Sequence, residues 1–247
     1  MEPVRPIQLA ASAVFAALVC VATMVFTVYV PLTRGFFNIG ETMVYTTALL
    51  FGPYIGAFAG GVGSMAADML LGYPHYAPAT LVIKAAEGYI VGFLSRKRPK
   101  SLSSGRWKLY TTCLGVLAGA LIAVIGSRYY SGMVELYLGY PPPQQPTLVI
   151  YVPAALWYGL GLVVASSTVF MGLRFEPEFG WLVFSILVGG LEMVAGYFLY
   201  EQFLLGVAAI VEVPVNVGQM TVGLLVAIPL VRALWRSMPG LQRMVGG

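Results

Sequence analysis

Apolar positions run along this chain in long unbroken stretches, separated by short segments rich in proline, glycine and charge. A helix needs about 20 apolar residues to cross a hydrocarbon core roughly 30 Å thick. Stretches of that kind lie at about 7–30, 54–72, 79–95, 109–126, 148–172, 181–200 and 213–235. With a shorter helix at about 41–51, the pattern predicts about eight helices and an all-α integral membrane protein. The first stretch is too long for a removable signal peptide and lacks a small-residue cleavage site, so it is expected to remain as an anchor. The short helix differs in kind, because eleven residues rise only about 16 Å. It can span only if 31–40 also dips into the membrane, and irregular backbone at that depth must line protein or a water-filled cavity. Interrupted helices are where membrane binding sites tend to be built.

Composition narrows the class. Of 247 residues, 59% are hydrophobic and 10% charged, too few charges to solvate the surface of a soluble enzyme. The net charge of +4 would suit a nucleic-acid partner, but the basic residues flank apolar runs and read as topology signals. With the N-terminus inside, eleven of the 14 lysines and arginines fall on the cytoplasmic side: Arg5, Arg96, Lys97, Arg98, Lys100, Arg106, Lys108, Arg174, Arg232, Arg236 and Arg243. Arg34 and Arg128 fall outside, and Lys84 lies within a span. That asymmetry predicts a multi-pass protein of the cell membrane with both termini cytoplasmic. Trp107, Trp181 and Trp235 then sit at the cytoplasmic interface, and the basic cluster either anchors the topology or docks a partner or anionic lipid. Cys20 and Cys113 lie in apolar runs and read as packing residues, so a disulfide or thiolate metal site is not expected. One histidine, His75, and no GxxxxGK[ST] loop leave no metal site, no cofactor and no ATPase in prospect.

The few polar residues within spans are costly unless paired. They are Asp68, Lys84, Glu87 and Glu192, joined near span ends by Glu41, Glu212, Asn216 and Gln219. All fall in the outer half of the membrane. Lys84, Glu87 and Gly88 share one helix face, as do Asn216 and Gln219. Either these residues form a polar pocket open to the outside and blind toward the cytoplasm, or Lys84 only neutralises Asp68 or Glu87 while the amides satisfy backbone. Two outer loops carry aromatics beside glycine or proline: Gly35, Phe36, Phe37, Asn38 and Glu41 in one, Gly72, Tyr73, Pro74, His75, Tyr76 and Pro78 in the other. They suit a flat heteroaromatic ligand, or serve as interface anchors. An AxxxA stripe at Ala13 and Ala17, and GxxxG spacing at Gly52, Gly56, Gly60 and at Gly88, Gly92, mark close helix packing or the docking of a second membrane subunit.

Several motifs in order carry a resemblance: Phe37-Asn-Ile-Gly-Glu41, Leu50-Phe-Gly-Pro53, Gly60-Gly-Val-Gly-Ser64 with Asp68, Gly72-Tyr-Pro74, Ala77-Pro78, Lys84-Ala-Ala-Glu-Gly88, Glu192-Met-Val-Ala-Gly-Tyr197 and Glu212-Val-Pro-Val-Asn216-Val-Gly-Gln219. Together they resemble the substrate-binding (S) components of energy-coupling factor (ECF) transporters, in particular the riboflavin-transporter-like branch with its predicted pyridoxine and hydroxymethylpyrimidine carriers. The likeness covers about 7–100 and 181–236. It implies a six-helix bundle that binds a vitamin or precursor beneath its first long loop. It also implies work with a transmembrane coupling subunit and two cytosolic ATPases, toppling in the membrane to deliver the substrate. Ala13 and Ala17 match the family's docking stripe. Residues 101–180 depart from that pattern as an inserted two-helix hairpin, whose outer loop at about 127–147, with Pro141, Pro142, Pro143 and Pro146, either caps the pocket or is a stiff connector.

The substrate site is therefore expected at Asn38, Glu41, Tyr73, Lys84, Glu87, Glu192, Asn216 and Gln219. Lys84 and Glu87 would bind polar edges, Glu192 and the amides would fix orientation, and Tyr73 or Phe37 would stack. The alternative is a stand-alone secondary transporter coupled to protons through Asp68, Glu87 or Glu192. Catalysis is not expected, since no nucleophile with an adjacent base is visible.

Overall fold

The computed structural model describes residues 6–30, 35–97, 104–138, 144–145, 148–174, 177–206, 209 and 212–238. Arg5, Arg34, Arg98, Lys100, Arg243 and the prolines at 141–143 and 146 lie outside them. Among the described residues there are eight helices: α1 (Pro6–Val25), α2 (Glu41–Phe51), α3 (Pro53–Leu70), α4 (Ala77–Arg96), α5 (Ser104–Tyr129), α6 (Ala154–Arg174), α7 (Pro177–Leu205) and α8 (Glu212–Ser237). Among the described residues, six helices (α1 and α4 to α8) are long and apolar enough to cross a membrane. Glycines and Asp68 dilute the hydropathy of α3, and α2 is too short.

Strands join these helices, which the apolar pattern did not predict. β1 (Thr27–Val30), β2 (Gly35–Asn38), β3 (Gly132–Leu138) and β4 (Leu148–Val152) form an antiparallel sheet in the order β2-β1-β3-β4. The first apolar run thus divides at Phe26 into helix and strand, and the run beginning at 148 opens as β4 before α6. Short β-branched, aromatic stretches such as Thr-Val-Tyr-Val favour the extended chain, and apolar periodicity alone cannot separate them from helix.

α2 lies at the centre, flanked by α1, α3, α4 and α8, while α7 closes the far side against α4 and α8. Every residue of α2 from Val44 to Leu50 is buried. Without a hydrophobic drive between helices in lipid, close approach depends on small residues. A methyl group on Gly56 of α3 would come within 2.8 Å of the Gly88 carbonyl oxygen of α4, and one on Gly60 within 2.7 Å of the Lys84 carbonyl oxygen. Gly52, at φ +85°, turns the chain between α2 and α3 beneath the Arg96 guanidinium. α5 and α6 pair chiefly with each other, backbone to backbone at Gly119 and Gly161, and stand beside α7 and α8. The α4 and α6 C-termini, the α5 N-terminus and the α8 C-terminus bring Arg96, Arg106, Lys108, Arg174 and Arg236 to one end of the bundle. The sheet occupies the other.

Replacing Gly88 with valine should destabilise the fold by roughly 1–3 kcal/mol through overpacking. Gly159→Ala, on an exposed face with open space around it, should leave stability unchanged. Thermal unfolding of the detergent-solubilised protein measures both.

Candidate functional site

An ion cluster sits at the head of α2. Glu41 is the first residue of that helix, where the positive end of the helix dipole favours a carboxylate. Lys84 of α4 pairs with Glu41 and, at 3.1 Å, with Glu87 one turn along its own helix. Glu87 also accepts a hydrogen bond of 2.8 Å from the Tyr45 hydroxyl. Exposure is 1% for Glu41, 5% for Lys84 and 0% for Glu87, so these charges are stable only because they hold one another. The Lys84 ammonium also lies 5.6 Å from the Tyr197 ring centre.

Above this floor, toward the sheet, opens a cavity. On one side an amide relay ties β2 to α8. The Asn38 backbone N–H donates to Gln219 Oε1 at 3.0 Å, the Asn38 side-chain amide donates to the same oxygen, and Gln219 Nε2 donates to Asn216 Oδ1 at 2.8 Å. Across the cavity Tyr197 donates to Thr80 Oγ1 at 3.0 Å, and Thr80 in turn bonds Asp68. Phe36 of β2 meets Tyr73 with ring centres 4.9 Å apart, and Tyr76, Glu201 and Glu212 complete the wall. Burial, together with the neighbouring Glu201 and Glu212 carboxylates, holds the Tyr76 phenol well above its ordinary range, so it stays a donor.

Of the residues predicted from sequence, Asn38, Tyr73, Lys84, Asn216 and Gln219 line the cavity. Glu41 and Glu87 lie below it, gripping Lys84. Glu192 is outside the lining, five residues before Tyr197 on α7, or about 7.5 Å nearer the basic end. His75 is exposed on the loop, where its backbone carbonyl accepts from the Tyr200 hydroxyl. Ala13 and Ala17 are exposed on α1, on the face away from Ala16 and Val19, which pack against Gly63 of α3.

Other lining residues were not in the expected set: Thr23, Ser64, Asp68, Tyr76, Thr80, Tyr197, Glu201 and Glu212. A signal for most of them exists. Ser64 and Asp68, Thr80 and Lys84, Tyr197 and Glu201, Glu212 and Asn216 are each polar pairs four residues apart, which places both members on one helix face. Glu201 lies beyond a span expected to end at 200; α7 continues to Leu205 and carries it inward.

Comparison with known proteins adds a family and two relatives. The model of the family described as ECF-type riboflavin transporter, S component, matches residues 5–175. The match runs through α5 and α6 and ends before α7 and α8. A Pyrococcus woesei protein described as "Uncharacterized protein in gap 3'region" is 41% identical over 119 residues, 48% of this chain and 73% of that protein. The thiamine precursor transporter HmpT of Lactococcus lactis subsp. cremoris (strain MG1363) is 27% identical over 118 residues, 47% of this chain and 66% of that protein.

Lys84→Met should lower folding stability by roughly 3–5 kcal/mol, because it strands two buried carboxylates. Adding Glu41→Gln and Glu87→Gln should restore a large part of the loss. Thermal unfolding of the single and triple variants reads the difference.

Proposed function

Since the chain belongs to the family of ECF-type riboflavin transporter S components, a family of multi-pass membrane transport proteins and not of enzymes, we propose that it is the substrate-capture subunit of an ATP-driven vitamin importer. Its substrate in this reading is a small heteroaromatic vitamin or precursor of the riboflavin, pyridoxine or hydroxymethylpyrimidine class. The observation that carries the reading is the cavity, which combines aromatic faces at Phe36, Tyr73, Tyr76 and Tyr197 with amides and ionisable groups. Flat rings with polar edges are what such a lining accommodates.

Below the Lys84 cluster the packing is apolar, with Val44, Ala48, Val91, Ile186, Ala227 and Val231 buried. A blind pocket suits a receptor that is handed to a partner better than it suits a proton path across the membrane. The sequence holds no phosphate-binding loop of the GxxxxGK[ST] type, so ATP hydrolysis falls to two cytosolic ATPase subunits acting through a transmembrane coupling subunit. Ala13 and Ala17 offer that subunit a face on α1 where backbones can approach closely. The Lys/Arg-rich end faces the cytoplasm of the cell membrane. α5 and α6, paired with each other beside the remaining six helices, form the hairpin at 101–180, and the family match runs through both. The name of the Lactococcus relative, a thiamine precursor transporter, belongs to the same substrate range.

Gln219→Ala removes the centre of the amide relay and should weaken binding of the cognate ring by roughly 10- to 100-fold. Titration calorimetry of the purified protein, with the ring first identified by mass spectrometry of what copurifies, measures this. Undiminished affinity in the variant would remove the cavity from substrate binding. Uptake by the chain alone in proteoliposomes, abolished by collapsing a pH gradient, would replace the importer with a proton-coupled transporter.

A further inference from the structure

On the wall across from the amide relay, Asp68 of α3 lines the cavity with one hydrogen bond unmade. The residue is 5% exposed. Tyr197 donates to Thr80 Oγ1 at 3.0 Å, and the Thr80 hydroxyl in turn bonds the Asp68 carboxyl. That relay serves one carboxyl oxygen. The other, Oδ2, is buried and has no hydrogen-bond partner among the described residues. Lys84 stands within electrostatic reach of Asp68, but its ammonium is held by Glu41 and Glu87. A buried carboxyl oxygen without a donor is costly, and packing gives no reason to keep it, since asparagine fills the same space with less charge to bury. A side chain retained at a cost to stability in the wall of a cavity marks a place where a ligand completes the bonding.

Ser64 lies one turn before Asp68 on the same helix face, is 4% exposed and also lines the cavity. A carboxyl oxygen beside a serine hydroxyl is matched by a group that donates and accepts at once, which is what a ligand hydroxyl does. The terminal torsion of an aspartate is soft, so the carboxyl can turn Oδ2 toward an arriving group without leaving its rotamer. Resting on the reading of this cavity as the substrate site, we infer that Asp68 and Ser64 form a subsite for a hydroxyl on an arm of the bound ring. The Tyr73 backbone N–H donates to the Asp68 carbonyl oxygen at 2.7 Å, which ties the aromatic loop to the end of α3. A ring received by Tyr73 therefore has α3 beside it to take its arm, while Asn216 and Gln219 hold the far edge. The subsite selects by substituent and not by ring: it favours a hydroxyl-bearing arm over the same ring carrying methyl, whichever ring the cavity takes.

The test crosses ligand pairs with variants of the purified full chain. The pairs are riboflavin and lumiflavin, pyridoxine and 4-deoxypyridoxine, and 4-amino-5-hydroxymethyl-2-methylpyrimidine and 4-amino-2,5-dimethylpyrimidine, each a ring with and without its hydroxyl. In the pair that the unmodified protein binds, the hydroxyl member should bind at least about tenfold tighter, as one hydrogen bond to a charged group supplies that ratio. Asp68→Ala should reduce the preference to about twofold or less, and Ser64→Ala should reduce it by a smaller factor. Asp68→Asn, which keeps the shape and the bond from Thr80, should give an intermediate preference and a thermal midpoint, without ligand, at or above that of the unmodified protein. A methyl member that binds the unmodified protein as tightly as its hydroxyl partner would overturn the inference while leaving the substrate-site reading intact. So would a preference that survives both Asp68 variants, or an Asp68→Asn protein that is less stable and weakened equally toward both members, the mark of a structural role. If no ring of the three pairs binds, the substrate-site reading itself falls, and the subsite with it.

Discussion

One buried ammonium shared between two carboxylates organises this protein. Lys84 reaches Glu41 on α2 and Glu87 on its own helix, and none of the three could stay charged in a bilayer interior alone. The pairing fixes how α2 and α4 sit together. Gly60 of α3 lies against the Lys84 carbonyl, and Gly223 of α8 lies against the Glu41 side chain and the Tyr45 ring. Larger residues at either place would push a helix outward and open the distance that the ion pairs need. The glycines and the charges are therefore one arrangement: close backbones bring the charges into contact, and the charges set the depth at which apolar packing gives way to a polar cavity.

This division of labour explains what could be read from the sequence and what could not. Every expected helix is present, because lipid demands long apolar runs and each run is bounded by proline, glycine or charge. The shortness of α2 was equally plain, but the irregular segment expected at 31–40 is strand β2 over 35–38, and 31–34 lie outside the described residues. The form of that approach was not legible. Thr-Val-Tyr-Val after Phe26 and Leu-Val-Ile-Tyr-Val at 148–152 are as apolar as a span, and only pairing with distant partners makes them strands.

In the cavity, five of the eight expected residues face the open space, and the other three lie on faces of their helices turned away from it. Glu41 and Glu87 are as polar as Lys84 but lie on the side where α2 and α4 meet, so they hold the lysine instead of facing the void. Glu192 carries a charge at a plausible depth, yet α7 turns it out of the lining that Tyr197 and Glu201 share. Hydropathy gives depth along a helix to within a turn. It does not give rotation about the axis, which here is recoverable from polar pairs four residues apart.

The roof of the cavity is held from both edges, which constrains how anything enters. On one edge β2 is fastened to α8 by Asn38 and Gln219. On the other, β1 pairs with β2 from Thr27–Asn38 to Val30–Gly35 and with β3 at Val28–Leu138 and Tyr29–Tyr137. β3 continues directly from α5, and its partner β4 leads into α6. The α5–α6 pair is thus only lightly packed within the bundle yet covalently continuous with the sheet above the cavity. Lifting β2 alone requires breaking the amide relay and bending the β1–β2 ladder. Lifting β1 and β2 together requires parting β1 from β3, or carrying β3 and β4 along. Since the β1–β3 pairing is the shortest of the three ladders, that seam is the weakest line across the roof, and the helices least embedded in the bundle stand on its far side.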